Sequence, residues 1–202
     1  MWEAFVSLVV LSRWWFGMPN HLTLGFATLA TGWVAHWLPS SVYPLQSVAV
    51  STLGREVGAL TITVDALQFG VHWWMHALRM RSHARHHIHK TPCVQDAFDT
   101  GAVDGVLQLI VPIYVAMWMW RPSRVSASAF GVLYGLWLQW IHSDDPNSLS
   151  CTSTVFVTPA YHRIHHLHAN VNYGHVLRVW DRVCDTQADP TLTPWMRKRG
   201  AR

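Results

Sequence analysis

Nine of the chain's fourteen histidines fall into four clusters, and the spacing within the clusters is typical of metal ligands. The first cluster is HxxxH, the second and fourth are HxxHH, and the third is a single residue; the nine are His72, His76, His83, His86, His87, His142, His162, His165 and His166. Residues three and four apart share one face of a helix, so each cluster points its rings at a common point. Neutral imidazole is the commonest side-chain metal ligand and suits iron, zinc and copper. The clusters therefore predict a centre for two metal ions.

The composition indicates a membrane protein. Half of the 202 residues are hydrophobic and 13% are charged, whereas about a quarter are charged in a typical soluble domain. Tryptophans such as Trp118, Trp120 and Trp140 stand at the ends of apolar segments, as in the aromatic belts of membrane interfaces. The length suits one domain.

Five apolar segments predict the membrane helices. They are residues 2–17, 22–38, 57–80, 101–120 and 125–142. About 20 apolar residues cross the hydrocarbon core, so we expect the shorter segments to tilt, dip or lie in the interface. The first segment has no basic residue ahead of it, so we interpret it as a retained helix and not as a signal peptide. We therefore predict an all-α integral membrane bundle of about four transmembrane helices, with a cytoplasmic, histidine-rich helical cap.

The basic residues flank the apolar segments. Arg79, Arg81, Arg85 and Lys90 surround the second histidine cluster, and further basic residues follow the last apolar segment. The positive-inside rule places these regions in the cytoplasm, where the three cysteines stay reduced. Nucleic-acid binding would need the charges on a soluble platform, so we expect no nucleic-acid partner.

The segment 57–80 carries a polar stripe along an otherwise apolar helix. The members, spaced three or four residues apart, are Asp65, Gln68, His72, His76 and Arg79. Ionisable residues in membrane segments are costly and usually face the protein interior. Such a stripe could serve only to hydrogen-bond neighbouring helices, but its HxxxH spacing favours metal ligands.

Local signals place the remaining histidines. Residues 101–120 and 125–142 are predicted to form a hairpin turned at residues 121–124, which returns His142 to the same side as the other clusters. Thr158 and Pro159 are typical of a helix cap and a first helical residue. The helix that they begin would carry the last HxxHH cluster.

Taken in order, these motifs resemble those of the fatty acid hydroxylase/sterol desaturase superfamily. Asp65 lies seven residues before the HxxxH motif, and the last cluster has the form TPxxHxxHH. The sequences NYG at residues 172–174 and WDR at residues 180–182 resemble the NYG…WDR ending of that family. The resemblance covers roughly residues 55–186.

The resemblance implies an integral membrane enzyme with a non-haem di-iron centre. Its two iron ions would be held by the nine clustered histidines, with no catalytic residue beyond these ligands. Such an enzyme uses O2 and two electrons from a separate protein, such as cytochrome b5 with an NAD(P)H reductase, to hydroxylate or desaturate a lipid that enters from the bilayer. In a eukaryote we expect the endoplasmic reticulum membrane, with the histidine site on the cytoplasmic side.

The resemblance also organises the chain and the residues around the ligands. Residues 1–54 would form N-terminal membrane helices, residues 55–186 the fatty acid hydroxylase-like domain, and residues 187–202 a basic tail. We expect five residues close to the ligands, namely Asp65, His89, His168, Asn172 and Tyr173. Asp65 would fix the tautomer of an imidazole. Asp181 and Arg182 would pair structurally near the C-terminus, and His21 and His36 would be packing or interfacial residues.

Two positions depart from the family pattern. Trp73 stands where the family usually has arginine, and the connection from His76 to His83 is a residue or two shorter than usual. A shorter connection would tilt His83 out of the ligand set and leave His89 or another residue to replace it. These departures support an alternative function, that of a non-catalytic metal-binding membrane protein.

Other functions fit less well, and some properties stay open. A metal transporter would line a path across the bilayer with histidines, whereas all four clusters fall on one side. A haem protein needs only one or two axial histidines. The sequence leaves open which lipid is used (sterol, sphingolipid acyl chain, fatty alcohol, alkylglycerol or carotenoid), whether it is hydroxylated or desaturated, and the oligomeric state.

Overall fold

The computed structural model describes residues 48–188, and helices joined by loops and turns make up this part of the chain. The α-helices in order are α1 (Val50–Ala77), α2 (Arg81–Ala84), α3 (Ala102–Gly105), α4 (Val111–Trp120), α5 (Arg124–Ile141), α6 (Pro146–Ser150), α7 (Pro159–His168) and α8 (Val179–Val183). Two 3-10 turns, His86–Ile88 and Val94–Phe98, connect α2 to α3. Within residues 48–188 the extended structure is one isolated bridge between Phe156 and Leu177. The all-α prediction is confirmed.

Helix α1 packs along α4 and α5 and forms the core with them. Apolar side chains from all three helices fill this core, with Tyr161 of α7 beneath them; they include Leu60, Val64, Ala116, Phe130, Tyr134, Leu138 and Ile141. Packing of these apolar faces therefore fixes the positions of the helix ends that carry histidines.

The predicted hairpin turn joins α4 to α5. Arg121 ends α4 in the left-handed conformation with φ 44°, and the Ser123 side chain caps α5 by accepting from the backbone N–H of Ser126. The carboxylate of Glu56 on α1 accepts hydrogen bonds from the backbone N–H and the hydroxyl of Ser123, each at 3.0 Å. Because α5 then runs back along α1, it delivers His142 directly after its last turn.

A helical stretch of 19 residues, Ala102–Trp120, is long and apolar enough to cross a membrane. It comprises α3, a π-helical turn at Val106–Ile110, and α4. Within residues 48–188 it is the one helix that meets this criterion. The predicted segments 2–17 and 22–38, with His21 and His36, lie outside the described residues, as does the tail beyond residue 188. A bundle of four membrane helices therefore remains a proposal.

The polar stripe on α1 is shorter than predicted. Asp65, Gln68 and His72 are buried and His76 is partly buried, as an inward-facing stripe requires. The helix ends at Ala77, however, and Arg79 lies beyond it in an exposed, left-handed conformation with φ 52°. The prediction that Arg79 continues the stripe is therefore wrong, because the backbone reverses before the side chain can align with the others.

Candidate metal centre

The structure brings the nine clustered histidines together as two groups of rings. The five-histidine group consists of His72, His76, His83, His87 and His165, and the four-histidine group of His86, His142, His162 and His166. Within each group, one nitrogen from every ring lies within 4.8 Å of the others. Eight of these nine residues are buried, and His76 is partly buried. Each group therefore has the form of a metal-binding cage.

The two HxxHH motifs contribute to both groups in opposite ways. In the first motif His83 and His87, four residues apart, join the five-histidine group and His86 joins the other. In the second motif His162 and His166 join the four-histidine group and His165 joins the five-histidine group. Each motif thus supplies a pair to one group and a single ring to its neighbour, which ties the two groups into one centre.

The distances between ring nitrogens fit a shared metal ion. In the five-histidine group His83 Nε2 lies 2.8 Å from His76 Nε2, 2.9 Å from His87 Nε2 and 3.1 Å from His72 Nε2. In the four-histidine group the corresponding contacts are 3.1 to 3.2 Å. Two imidazole nitrogens that bind one metal at about 2.1 Å and at right angles lie about 3.0 Å apart. The cages therefore have the size that a first-row transition metal requires.

Hydrogen bonds at the opposite ring nitrogen orient six of the nine rings. The Nδ1–H groups donate over 2.6 to 3.3 Å to carbonyl or carboxylate oxygens. The pairs are His72 with Tyr173 O, His83 with the Asp104 carboxylate, His86 with Asp99 O, His142 with Leu138 O, His165 with Val171 O and His166 with His89 O. A proton on Nδ1 leaves a bare lone pair on Nε2. Converging lone pairs repel one another unless a cation lies between them, so the residues present fit bound metal ions.

Burial keeps several of the clustered histidines that follow α1 neutral. Desolvation, with the neighbouring rings adding to it, lowers the pKa of His86 to about 4. The same causes lower the pKa values of His87, His162, His165 and His166 from the usual value. A neutral imidazole is the form that binds a metal, so these rings are available as ligands at pH 7.

Helix α7 begins as predicted. The Thr158 side chain accepts from the backbone N–H of Tyr161, and Pro159 is the first helical residue. Every residue from Pro159 to His166 is buried, and the Arg163 side chain donates to Pro92 O at 3.0 Å. This packing fixes the rotation of α7 and hence the directions of its three ligand rings.

The NYG and WDR motifs form the support beneath α1 and α7. The Asp181 carboxylate accepts from the backbone N–H groups of Tyr173 and Gly174 at 2.8 and 2.9 Å and from the Tyr161 hydroxyl at 3.0 Å. A Cβ on Gly174 would lie 2.8 Å from Leu177 O, so only glycine fits this turn. Arg182 bonds Thr154 O and Gln187, not Asp181, so the expected pairing of Asp181 with Arg182 is not found.

Asp65 supports the same turn and does not orient a histidine. Its carboxylate accepts from the backbone N–H groups of Val176 and Leu177 and from Trp180 Nε1, at 2.8 to 2.9 Å. The prediction that Asp65 fixes an imidazole tautomer is therefore wrong, since three backbone and indole donors already occupy the carboxylate. It positions the ligands indirectly, by holding the turn whose Tyr173 carbonyl binds His72.

The other predicted neighbours of the ligands divide into three kinds. Tyr173 accepts from His72 through its carbonyl, and its ring lies 5.3 Å from that of His76. His89 contributes its carbonyl to His166, while its own ring bonds Asp99. Asn172, in the left-handed region with φ 59°, binds Tyr161 O and Ala188 with its side chain. His168 is exposed at the end of α7 and belongs to neither group.

His83 occupies the middle of the five-histidine group, although the short connection predicted the opposite. The chain leaves α1 through Arg79, the backbone N–H of Met80 bonds Met75 O, and the short helix α2 then presents His83 with 2% exposure. His89 does not replace it. Trp73 is 52% exposed and belongs to neither group.

Three residues of the centre were not among those that the sequence placed at or beside the ligands. Asp104 binds His83 at 3.0 Å, with both side chains buried, and Gln108 donates to Asp104 at 2.9 Å. An aspartate and a glutamine four residues apart in an apolar segment were the available signal. His175 is also buried, with its ring 4.7 Å from that of His72, and burial lowers its pKa to about 3. A single histidine after NYG gave no such signal.

Comparisons with known proteins agree with the motifs. The chain is 29% identical over 87% of its length to a protein named alternative squalene epoxidase from Phaeodactylum tricornutum. It is 29% identical over 58% of its length to a Delta(7)-sterol 5(6)-desaturase from Leptosphaeria maculans, and 30% identical over 59% to a lathosterol oxidase from Mus musculus. The chain spans 51% of the first of these proteins, 34% of the second and 40% of the third.

No solved structure matches the chain significantly. The fatty acid hydroxylase family matches residues 57–186, well over half of the sequence and the whole of the histidine centre. The chain therefore belongs to the fatty acid hydroxylase family, within the fatty acid hydroxylase/sterol desaturase superfamily.

Proposed function

We propose that this chain is an O2-dependent membrane lipid hydroxylase or desaturase with a histidine-ligated di-iron centre. The observation that carries the proposal is the convergence of nine imidazoles into two adjoining cages of metal-binding size. A site of this kind, in a family with sterol-oxidising relatives, favours redox chemistry on a lipid.

The residues of the chain hold and orient the two ions. The five-histidine group would bind one iron and the four-histidine group the other, with six rings locked by hydrogen bonds at Nδ1. When bound, the two irons supply O2 activation for removing hydrogen from a C–H bond, with electrons from a separate donor such as cytochrome b5 and an NAD(P)H reductase. Burial of the rings would separate the ions from bulk solvent.

The membrane context rests on the helical stretch Ala102–Trp120. Only 28% of its most apolar part is buried, whereas the core helix of a soluble protein would be mostly buried. Large apolar side chains on its surface, such as Tyr114 and Trp118, are 67% and 64% exposed. We infer that these side chains face lipid, and that α1, α5 and the N-terminal segments complete the bundle of about four membrane helices.

The histidine centre would then lie at the cytoplasmic surface of the membrane. His142 follows the end of α5, and basic residues surround the cap. In this arrangement an apolar substrate enters from the bilayer, and in a eukaryote the membrane would be that of the endoplasmic reticulum. The relatives act, by their names, on squalene and on sterols, so we propose this lipid class as the substrate.

The test is turnover by the purified chain in lipid nanodiscs. Iron-loaded protein would receive squalene or a Δ7-sterol, O2, NADPH, cytochrome b5 and its reductase, with products identified by mass spectrometry. We expect an oxidised or desaturated product that is lost in His162→Ala. The matched variant His168→Ala, on the same helix but outside both groups, should retain the product. Iron-loaded protein that consumes no oxygen with either lipid class would contradict the proposal and favour a non-catalytic metal-binding protein.

A further inference from the structure

A cavity of about 40 Å³ lies beside the four-histidine group. His86 and His142 of that group line it, whereas no member of the five-histidine group does. One water-sized sphere needs about 10–15 Å³, so the cavity has room for a few waters or for a diatomic molecule. The two histidine groups are thus unequal in the space beside them.

Unsatisfied polar atoms belong to the wall of this cavity. Gln108 and His175 both line it and are 7% and 6% exposed. Gln108 Oε1 and His175 Nδ1 have no hydrogen-bond partner in the described part of the chain. Gln108 Nε2 donates to the Asp104 carboxylate at 2.9 Å. Exchanging the amide oxygen and nitrogen would set two oxygens against each other, so the Oε1 atom stays without a partner. Buried polar atoms without partners are costly, which favours a polar ligand in the cavity.

The ends of α1 and α5 contribute different numbers of rings to the two groups. The five-histidine group takes two rings from the end of α1, His72 and His76, four residues apart. The end of α5 offers the same spacing with Leu138 and His142, but only His142 can ligate. The Leu138 side chain lines the cavity instead. The four-histidine group therefore takes one ring from the end of α5, and at the spacing of a second ring the apolar Leu138 adjoins the cavity.

We propose that this cavity holds a small exogenous ligand beside the four-histidine group, within reach of an ion that the group would bind, and that Gln108 and His175 hydrogen-bond the occupant. The occupant would be water in the resting protein and O2 as the co-substrate, so the inference rests on the proposed function. Gln108 Oε1 can only accept, so it holds a ligand that carries O–H, such as water. His175, with its proton on the unpartnered Nδ1, donates a hydrogen bond and stabilises a ligand that only accepts.

These different roles predict opposite effects on the binding of azide, a small anion that displaces water and accepts hydrogen bonds. Oxidised, iron-loaded protein in detergent would be titrated with azide and followed by absorption and electron paramagnetic resonance. His175→Leu removes the donor, so azide affinity should fall about tenfold. Gln108→Leu removes the acceptor that holds the water. Azide then competes with a more weakly bound water, so azide affinity should rise several-fold. Gln139→Leu is the matched control, since Gln139 is similarly buried but does not line the cavity.

Iron content measured on the same samples separates the two proposals. Two irons in every variant, with the opposite azide shifts, would support the inference. Two irons with unchanged azide affinity in both cavity variants would overturn it and leave the proposed function standing. Loss of one iron in His175→Leu would make His175 a ligand and also overturn it. A wild-type chain without iron would overturn the proposed function and this inference together.

Discussion

The five-histidine and four-histidine groups are built from the same motifs but differ in their surroundings. Both take rings from each HxxHH motif; the five-histidine group adds His72 and His76 of α1, and the four-histidine group adds His142, which follows α5. The five-histidine group has one more ligand and a carboxylate, Asp104, behind His83. The four-histidine group relies on backbone carbonyls and adjoins the cavity.

The difference indicates that the two groups have different roles, one in retaining its ion and the other in exchanging a ligand. A carboxylate that accepts from an imidazole N–H raises the basicity of the ring and strengthens its bond to a metal. With five rings and Asp104, the first group is arranged to retain its ion. With four rings and a polar cavity, the second is arranged to exchange a ligand.

The largest expected effect follows removal of the metals. A ligand that binds only the folded protein at about 1,000 times its Kd stabilises it by about 4 kcal/mol, so complete chelation should lower Tm by about 10 °C. The four-histidine iron should leave first, because it has fewer ligands and an adjoining cavity. A chelator time course with absorption and iron analysis should therefore show two phases. Release of both irons in one phase would contradict the inequality of the groups.

Asp104→Asn should weaken the five-histidine group selectively. Loss of the charged acceptor behind His83 should reduce the affinity of that group for iron about 10- to 100-fold, as for other residues that orient metal ligands. Chelator competition would measure it, with the exposed Asp144→Asn as control. Equal weakening of both irons, or of neither, would show that Asp104 does not distinguish the groups.

Leu138→His should make the two groups more alike. A ring at this position would enter the cavity four residues before His142, as His72 precedes His76. We expect the variant to keep two irons and to lose azide affinity by about tenfold, because the new ring fills the cavity. Azide binding equal to that of the wild type, with two irons retained, would place the azide site elsewhere.

Gly174→Ala should have the smallest effect. Its Cβ would press on Leu177 O and the Asp181 carboxylate, at an expected cost of about 2 kcal/mol and about 6 °C in Tm. Since this turn carries the acceptor of His72, iron should be lost first from the five-histidine group. The control Gly70→Ala meets nothing within 4 Å on α1 and should not lower Tm, which thermal unfolding would verify.

The sequence was sufficient for features that depend on local spacing. The helix start at Thr158, the hairpin turn before α5 and the arrival of His142 follow from capping and turn chemistry, which act over a few residues. The same holds for the recognition of the family from ordered motifs. The convergence of the four clusters was predicted because three of them had metal-ligand spacing and the hairpin returned His142 to the same side.

Features that depend on tertiary packing could not be predicted in this way. Asp65 and Asp104 are both aspartates in apolar segments, and only the rotation of α1 and α3 decides that Asp104 contacts a histidine. The length of the His76–His83 connection was misleading, because a left-handed Arg79 and the short α2 redirect the chain. The assignment of each ring to a group, and the burial of His175, likewise arise only when α1, α5 and α7 meet.

The most direct test of the account is the number of irons per chain in detergent-purified protein, measured by mass spectrometry. We predict close to two irons in the wild type, close to one in His165→Ala because the five-histidine group is broken, and two in His168→Ala. One iron or none in the wild type, or equal content in His165→Ala and His168→Ala, would contradict the two-cage centre.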